Sequence, residues 1–162
     1  MSVHSLTWRV NCSAIDDLEV VRDACEWLVG AGTESKEEVT RSWHGAEQMI
    51  WTCRIENRGP ATVGIARIGT ELLHRLAEDR SWLEDRIDED RNLHLRLDLA
   101  TLATGRVALA GPADAGSSVK GRIKLAVYPN QEPLEIAQEV LRSALRTAEE
   151  NGWRGVHPDR DD

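Results

Sequence analysis

Lys120, Arg122 and Lys124 stand at alternate positions in a stretch whose apolar members are Ile123, Leu125 and Val127. Alternate positions on a strand leave the same face about 6.5–7 Å apart. That step is close to the spacing of phosphates along a nucleic-acid strand. A second alternating stretch places His94 and Arg96 between Leu93, Leu95, Leu97 and Leu99. Arg9 and Arg54 occupy the polar phase of two further alternations. Lys offers a point charge and Arg a planar fork, and both grip phosphate oxygens; Arg planes also stack on bases. Lys120, Arg122, Lys124, Arg96, His94, Arg54 and Arg9 are therefore the candidate anion-binding set. The competing reading is a solvated face on which these cations pair with Glu and Asp across strands.

Other chemistries have weaker support. Asp88, Glu89 and Asp90 form an acidic run of the kind that holds a divalent metal for phosphodiester hydrolysis. One such run with no separate general base is more often a solvated turn, with Asp88 capping it or pairing with Arg86 or Arg91. His44 beside Gly45 reads as a turn, since no Ser or Cys nucleophile motif accompanies it. Cys12, Cys25 and Cys53 are odd in number, lack metal-ligand spacing and fall on or near apolar faces, so they read as core residues of a reducing compartment. The scattered glycines make neither a phosphate loop nor a dinucleotide fingerprint. No catalytic residue, metal site or cofactor is expected, and the chain does not read as an enzyme.

The 162 residues suit one domain with a real core. The net charge is −8 with 30% charged residues, which by itself disfavours a nucleic-acid partner. The distribution of charge matters more than its sum, and many acids lie in helical stretches and in the tail, as with Asp159, Asp161 and Asp162. There is no Phe, but there are six Trp, of which Trp8, Trp27, Trp51 and Trp82 lie in apolar-periodic stretches. No stretch approaches the length of a membrane span, so a soluble cytoplasmic protein is expected.

Strands are predicted around Leu6–Val10, Glu37–Trp43 and Met49–Glu56, the last two joined by a hairpin turn at His44–Glu47. Asp16 and Glu19 open a helix that Gly30 and Gly32 stop. After Pro60, a single helix with Ala66, Gly69, Leu72, Leu73 and Leu76 on one side runs to about Asp79, and Ser81 caps a further turn or two. The two basic-patterned strands, with Gly105–Ala110 as a third between them, read as an antiparallel meander. Pro133 starts a last helix that Gly152 ends. The expected fold class is α+β: one domain over 1–152, an antiparallel sheet with helices on one face, then a disordered acidic tail over 153–162.

Within the segment from Leu83 to Pro129, the pattern Arg-x-Asp-Glu-x-x-Asn-x-x-x-Arg-x-Asp falls on Arg86, Asp88, Glu89, Asn92, Arg96 and Asp98. This block resembles that of an archaeal family described as an RNA-binding exosome subunit. The resemblance continues through Leu102, Gly105, Val119, Lys120, Ile123, Lys124, Ala126, Tyr128 and Pro129, and into the last helix at Ala137, Glu139 and Val140. Earlier, Ser42 to Gly45 is similar to the family's His-Gly turn. Leu99 and Ala100 stand where the family has Lys, and Ala46 where it has Asn. The resemblance implies a fold similar to the ribosomal protein that binds 5S rRNA. It also implies RNA binding linked to RNA processing or degradation, with RNA and exosome proteins as partners. The alternative function is a protein–protein adaptor docking through its acidic helical face without RNA contact. No aromatics stand at the positions an RRM uses for stacking, so structured RNA held by backbone and shape is the expected ligand.

Overall fold

A computed structural model describes residues 2–13, 17–41, 45–111 and 117–160. Its centre is a five-stranded antiparallel sheet in the order β2-β3-β1-β5-β4. The strands are β1 (Val3–Ser13), β2 (Lys36–Arg41), β3 (Glu47–Glu56), β4 (Asn92–Asp98) and β5 (Ser118–Leu125). The helices are α1 (Leu18–Val29), α2 (Arg58–Ala66), α3 (Thr70–Glu78), α4 (Arg80–Arg86), the short α5 (Leu99–Ala103) and α6 (Pro133–Asn151). The expected α+β class holds, with helices packed on one sheet face.

Alternation dictates which face that is. Leu6, Trp8, Val10 and Cys12 of β1 are buried, as are Trp51 and Cys53 of β3, Leu93, Leu95 and Leu97 of β4, and Val119, Ile123 and Leu125 of β5. Leu93 lies opposite Ile123, so both strands present the same phase to the helices. Gly121 stands between Trp8 and Leu95 in the register. A Cβ there would lie 2.5 Å from the Trp8 ring, so the absent side chain is what lets the indole approach β5 so closely. Trp8 and Trp51 are buried, while Trp27 and Trp82 pack half-buried against the core. The three cysteines are free and buried, and burial pushes the Cys25 thiol up to about 12.

Several expectations need correction. The helix after Pro60 is two helices, because Gly69 sits at φ +100 between α2 and α3. The break receives residues 153–155: Thr70 N–H donates to the Trp153 carbonyl at 2.9 Å, and a Cβ on Gly69 would fall 2.2 Å from the Gly155 nitrogen. Asp79, not Ser81, caps α4, accepting from the Trp82 N–H at 3.0 Å. Asp17 caps α1 through Glu19 N–H, while the predicted Asp16 lies outside the described residues.

The meander is also revised. β4 and β5 pair directly, from Asn92 opposite Lys124 to Asp98 opposite Ser118. Gly105–Ala110 is no middle strand; it lies along the outer edge of β4, with Asp98 N–H donating to Ala108 and Ala110 N–H to Arg96. Residues 153–157, expected to be disordered, hold that strap. Val107 N–H donates to the Gly155 carbonyl at 2.8 Å, and His157 N–H to Gly105 at 2.7 Å. Two apolar pulls explain the docking: Trp153 packs against the core, and Trp27 meets His157 at 5.3 Å between ring centroids.

Candidate nucleic-acid interface

Residues directly opposite in an antiparallel pair share a face, so the register can be read across the sheet. One row runs Lys36, Thr52, Arg9, Lys120, Arg96, one residue from each strand. The next row runs Arg54, Thr7, Arg122, His94. A third runs Glu56, Ser5, Lys124, Asn92. All seven sequence-predicted residues lie on this one open face. Lys36 belongs with them and was missed, because β2 lacks the apolar alternation that reveals a phase.

The cations differ in what they already hold. Arg54 pairs with Glu56 along its own strand at 2.9 Å, an exposed contact of little energetic weight. The Lys124 ammonium donates to the Asp90 carbonyl. His94 Nε2 lies 2.6 Å from Asp88 Oδ2. Arg9, Lys36, Arg96, Lys120 and Arg122 have no hydrogen-bond or ion-pair partner among the described residues. Arg9, Lys120 and Arg122 are exposed and Arg96 is half-buried.

Like charges directly opposite on neighbouring strands oppose pairing. Here Lys120 has Arg9 on one side and Arg96 on the other, each about one strand spacing, ~4.8 Å, away along the backbone. The core sets this register: a slip of one residue would turn Trp8, Leu95 and Ile123 to solvent. The fold therefore carries a concentrated positive field on a chain whose total charge is −8. The strand residues of this face hold seven Lys and Arg against three carboxylates, Glu38, Glu56 and Asp98. Asp98 is engaged as the cap of α5, accepting from the Thr101 N–H at 3.2 Å and from the Thr101 hydroxyl.

The acidic run is a built turn at the corner of this face. Asp88 Oδ1 accepts from the backbone N–H groups of Asp90 and Asn92, each at 2.9 Å. Asn92 Nδ2 adds contacts at 3.3–3.4 Å, and His94 closes the cluster. Burial acts to raise the Asp88 carboxyl, but hydrogen bonds from His94 and Asn92 outweigh it and hold the group at about 2. Neither Arg86 nor Arg91 pairs with Asp88; Arg91 Nη1 donates to the Val127 carbonyl at 3.2 Å. Among the described residues, no three His, Cys, Asp or Glu side chains converge as a metal-ligand set. The predicted turn at His44 lies outside the described residues.

Solved structures share this architecture. A DUF54 protein of Methanothermobacter thermautotrophicus superposes with a TM-score of 0.64 at 24% identity, covering 90% of this chain and 99% of its own. A DUF54 protein of Archaeglobus fulgidus gives 0.69 at 21% identity, over 85% of this chain and 99% of its own. The fold is that of the archaeal DUF54 proteins. A UPF0201 protein of Methanococcus jannaschii shares it too, with a TM-score of 0.54 at 14% identity over 85% of this chain and 92% of its own. No family model matches the chain, and no curated protein matches it in sequence. Identities this low establish likeness of fold alone. Among the described residues, no helix is long and apolar enough to cross a membrane.

Proposed function

We propose that this chain is a non-catalytic RNA-binding protein that holds structured RNA on its open sheet face. The observation that carries the reading is the row Arg9, Lys120, Arg96, three adjacent cations on adjacent strands with no carboxylate partner among the described residues. A solvated face of the ordinary kind would interleave opposite charges. A bound polyanion supplies the missing counter-charge, and phosphates presented across several strands match a surface of this shape better than one extended strand does. His94 is the one ring among the residues of this face that have a partner across the strands, which speaks for recognition by backbone and shape rather than base stacking. The place in RNA processing or degradation, exosome-linked, follows from the resemblance of Leu83–Pro129. It assigns RNA-processing proteins as further partners.

Fluorescence anisotropy with a labelled RNA hairpin over a salt series tests the reading. Affinity should fall with salt, with a log–log slope of about −2 or steeper for three or more contacts at roughly 0.7 each. Absence of salt-dependent binding at low ionic strength removes the RNA reading and leaves the acidic helical face as the docking surface. Magnesium-dependent cleavage of the hairpin would replace it with a nuclease. Capture of partner proteins with and without RNase treatment then separates RNA-bridged association from direct docking.

A further inference from the structure

The two edges of the sheet are finished differently. The outer edge of β4 is covered by the strap at 105–110. The outer edge of β2 has no backbone hydrogen bond to any described residue. Five of its six residues are exposed, and Val39 is 70% exposed, the largest value among the exposed large hydrophobics. An open edge of this kind is a template for another strand.

Its side chains say which strand. A symmetric pair of copies related by a two-fold axis perpendicular to the sheet must oppose residues of the same face, so the two residue numbers of each pair add to an even total. Centring the axis on Glu38 opposes Glu38 to itself, and centring it on Glu37 or Arg41 likewise opposes like charges. Centring it on Val39 opposes Val39 to the partner's Val39, Glu38 to the partner's Thr40 and Glu37 to the partner's Arg41. This register places an apolar pair at the axis between two ion pairs. Arg41 has no partner among the described residues. Glu37 already accepts Arg22 at 2.7 and 3.0 Å, but a carboxylate has about four acceptor positions and can take a second guanidinium.

We infer that β2 pairs with β2 of a second copy, in the Val39-centred antiparallel register, to form a homodimer with one continuous sheet. The axis keeps both open faces on the same side, so the two basic fields lie side by side. The inference stands on the edge alone and does not need the RNA reading. The alternative use of four charged residues on a short edge strand is to repel other strands and keep the protein monomeric.

Sedimentation of nuclease-treated protein decides between them. Wild type should pass from monomer to dimer within roughly 1 µM to 1 mM. Glu37→Arg alone and Arg41→Glu alone should each be monomeric, because each opposes like charges twice at the interface. Mixing these two variants should restore dimer, since every opposed pair is then an Arg with a Glu. Val39→Cys should cross-link to itself under mild oxidation, and Thr40→Cys, off the axis, should not. Circular dichroism controls for folding, which an exposed pair such as Arg22–Glu37 affects little. A wild type that stays monomeric throughout overturns the inference. So does a dimer that survives both single charge variants, or one in which position 39 fails to cross-link.

Discussion

The open face holds two groups of cations that look alike in sequence and differ in employment. At the corner, Lys124 and His94 are tied to the Asp88–Asn92 turn, and the turn is tied to them. In the central row, Arg9, Lys120 and Arg96 stand opposite one another with no ion-pair partner among the described residues. The corner shows how this chain uses charge to fix local structure: each donor finds an acceptor within a few residues of the sheet end. The centre follows no such rule, and folding proceeds against its repulsion. A basic residue that stabilises the fold and one that awaits a ligand are thus told apart by their neighbours across the strands.

Reversing the central row attacks the contrast most directly. Arg9→Glu, Lys120→Glu and Arg96→Glu together should weaken RNA hairpin binding by on the order of 100-fold or more, at about 1 kcal/mol for each cation beside an anionic surface. The salt slope should flatten by about 2. Unchanged affinity and slope in a folded triple variant would make the centre an ordinary solvated face.

Lys120→Glu alone sharpens the point, because binding and stability should move in opposite directions. A carboxylate between Arg9 and Arg96 turns two repulsions into attractions and should raise stability by about 0.2–1 kcal/mol by urea unfolding. RNA affinity should drop by roughly tenfold. A variant that loses both would show that Lys120 has a structural role like that of Lys124.

At the corner the readout is acid stability. The Asp88 carboxyl is depressed from its ordinary 3.8 to about 2, so its ionised form favours the folded state. That contribution is complete above about pH 4 and is lost as pH falls through about 2. Asp88→Asn should therefore be less stable than wild type at pH 5 to 7, and the two should converge as pH approaches 2 in urea titrations. A difference that stays constant down to pH 2 would mean that the amide disturbs packing rather than charge.

The smallest expected effect belongs to Lys124→Gln. It should lower stability by about 0.5–1 kcal/mol, the weight of one exposed hydrogen bond, and change hairpin affinity less than Lys120→Gln does. Equal losses of affinity would erase the distinction between corner and centre.

Much of this was legible in the sequence. Strict alternation through Leu93–Leu99 and Ile123–Val127 placed β4 and β5 in the correct phase, since a half-buried strand has one way to bury its apolar side. The basic residues of one face could be named for the same reason. Their arrangement in rows could not, because a row depends on which residue lies opposite which, and β1 pairs with partners far away in the chain on both sides. The break at Gly69 was hidden because Leu72, Leu73 and Leu76 continue the helical period across it. Gly105–Ala110 has strand composition, yet its hydrogen bonds go to the outer edge of β4 and to the segment after Gly152. Gly121 was a readable sign left unread: a glycine inside a strand marks a close approach, here of Trp8.

The strap along β4 carries a consequence for the order in which the protein is made. Its own fastening, at Gly155 and His157, is synthesised about fifty residues later than the strap it secures, after every strand of the sheet and α6 have been made. Until then the nascent sheet has two reactive margins instead of one. A chain halted at Gly152 would carry every strand and every helix of the core and still lack the latch. Such a product should be soluble only while chaperones attend it, and should join other sheets through β4 once released. Docking of residues 155–157 is thus the step that closes the β4 margin and leaves β2 as the open one.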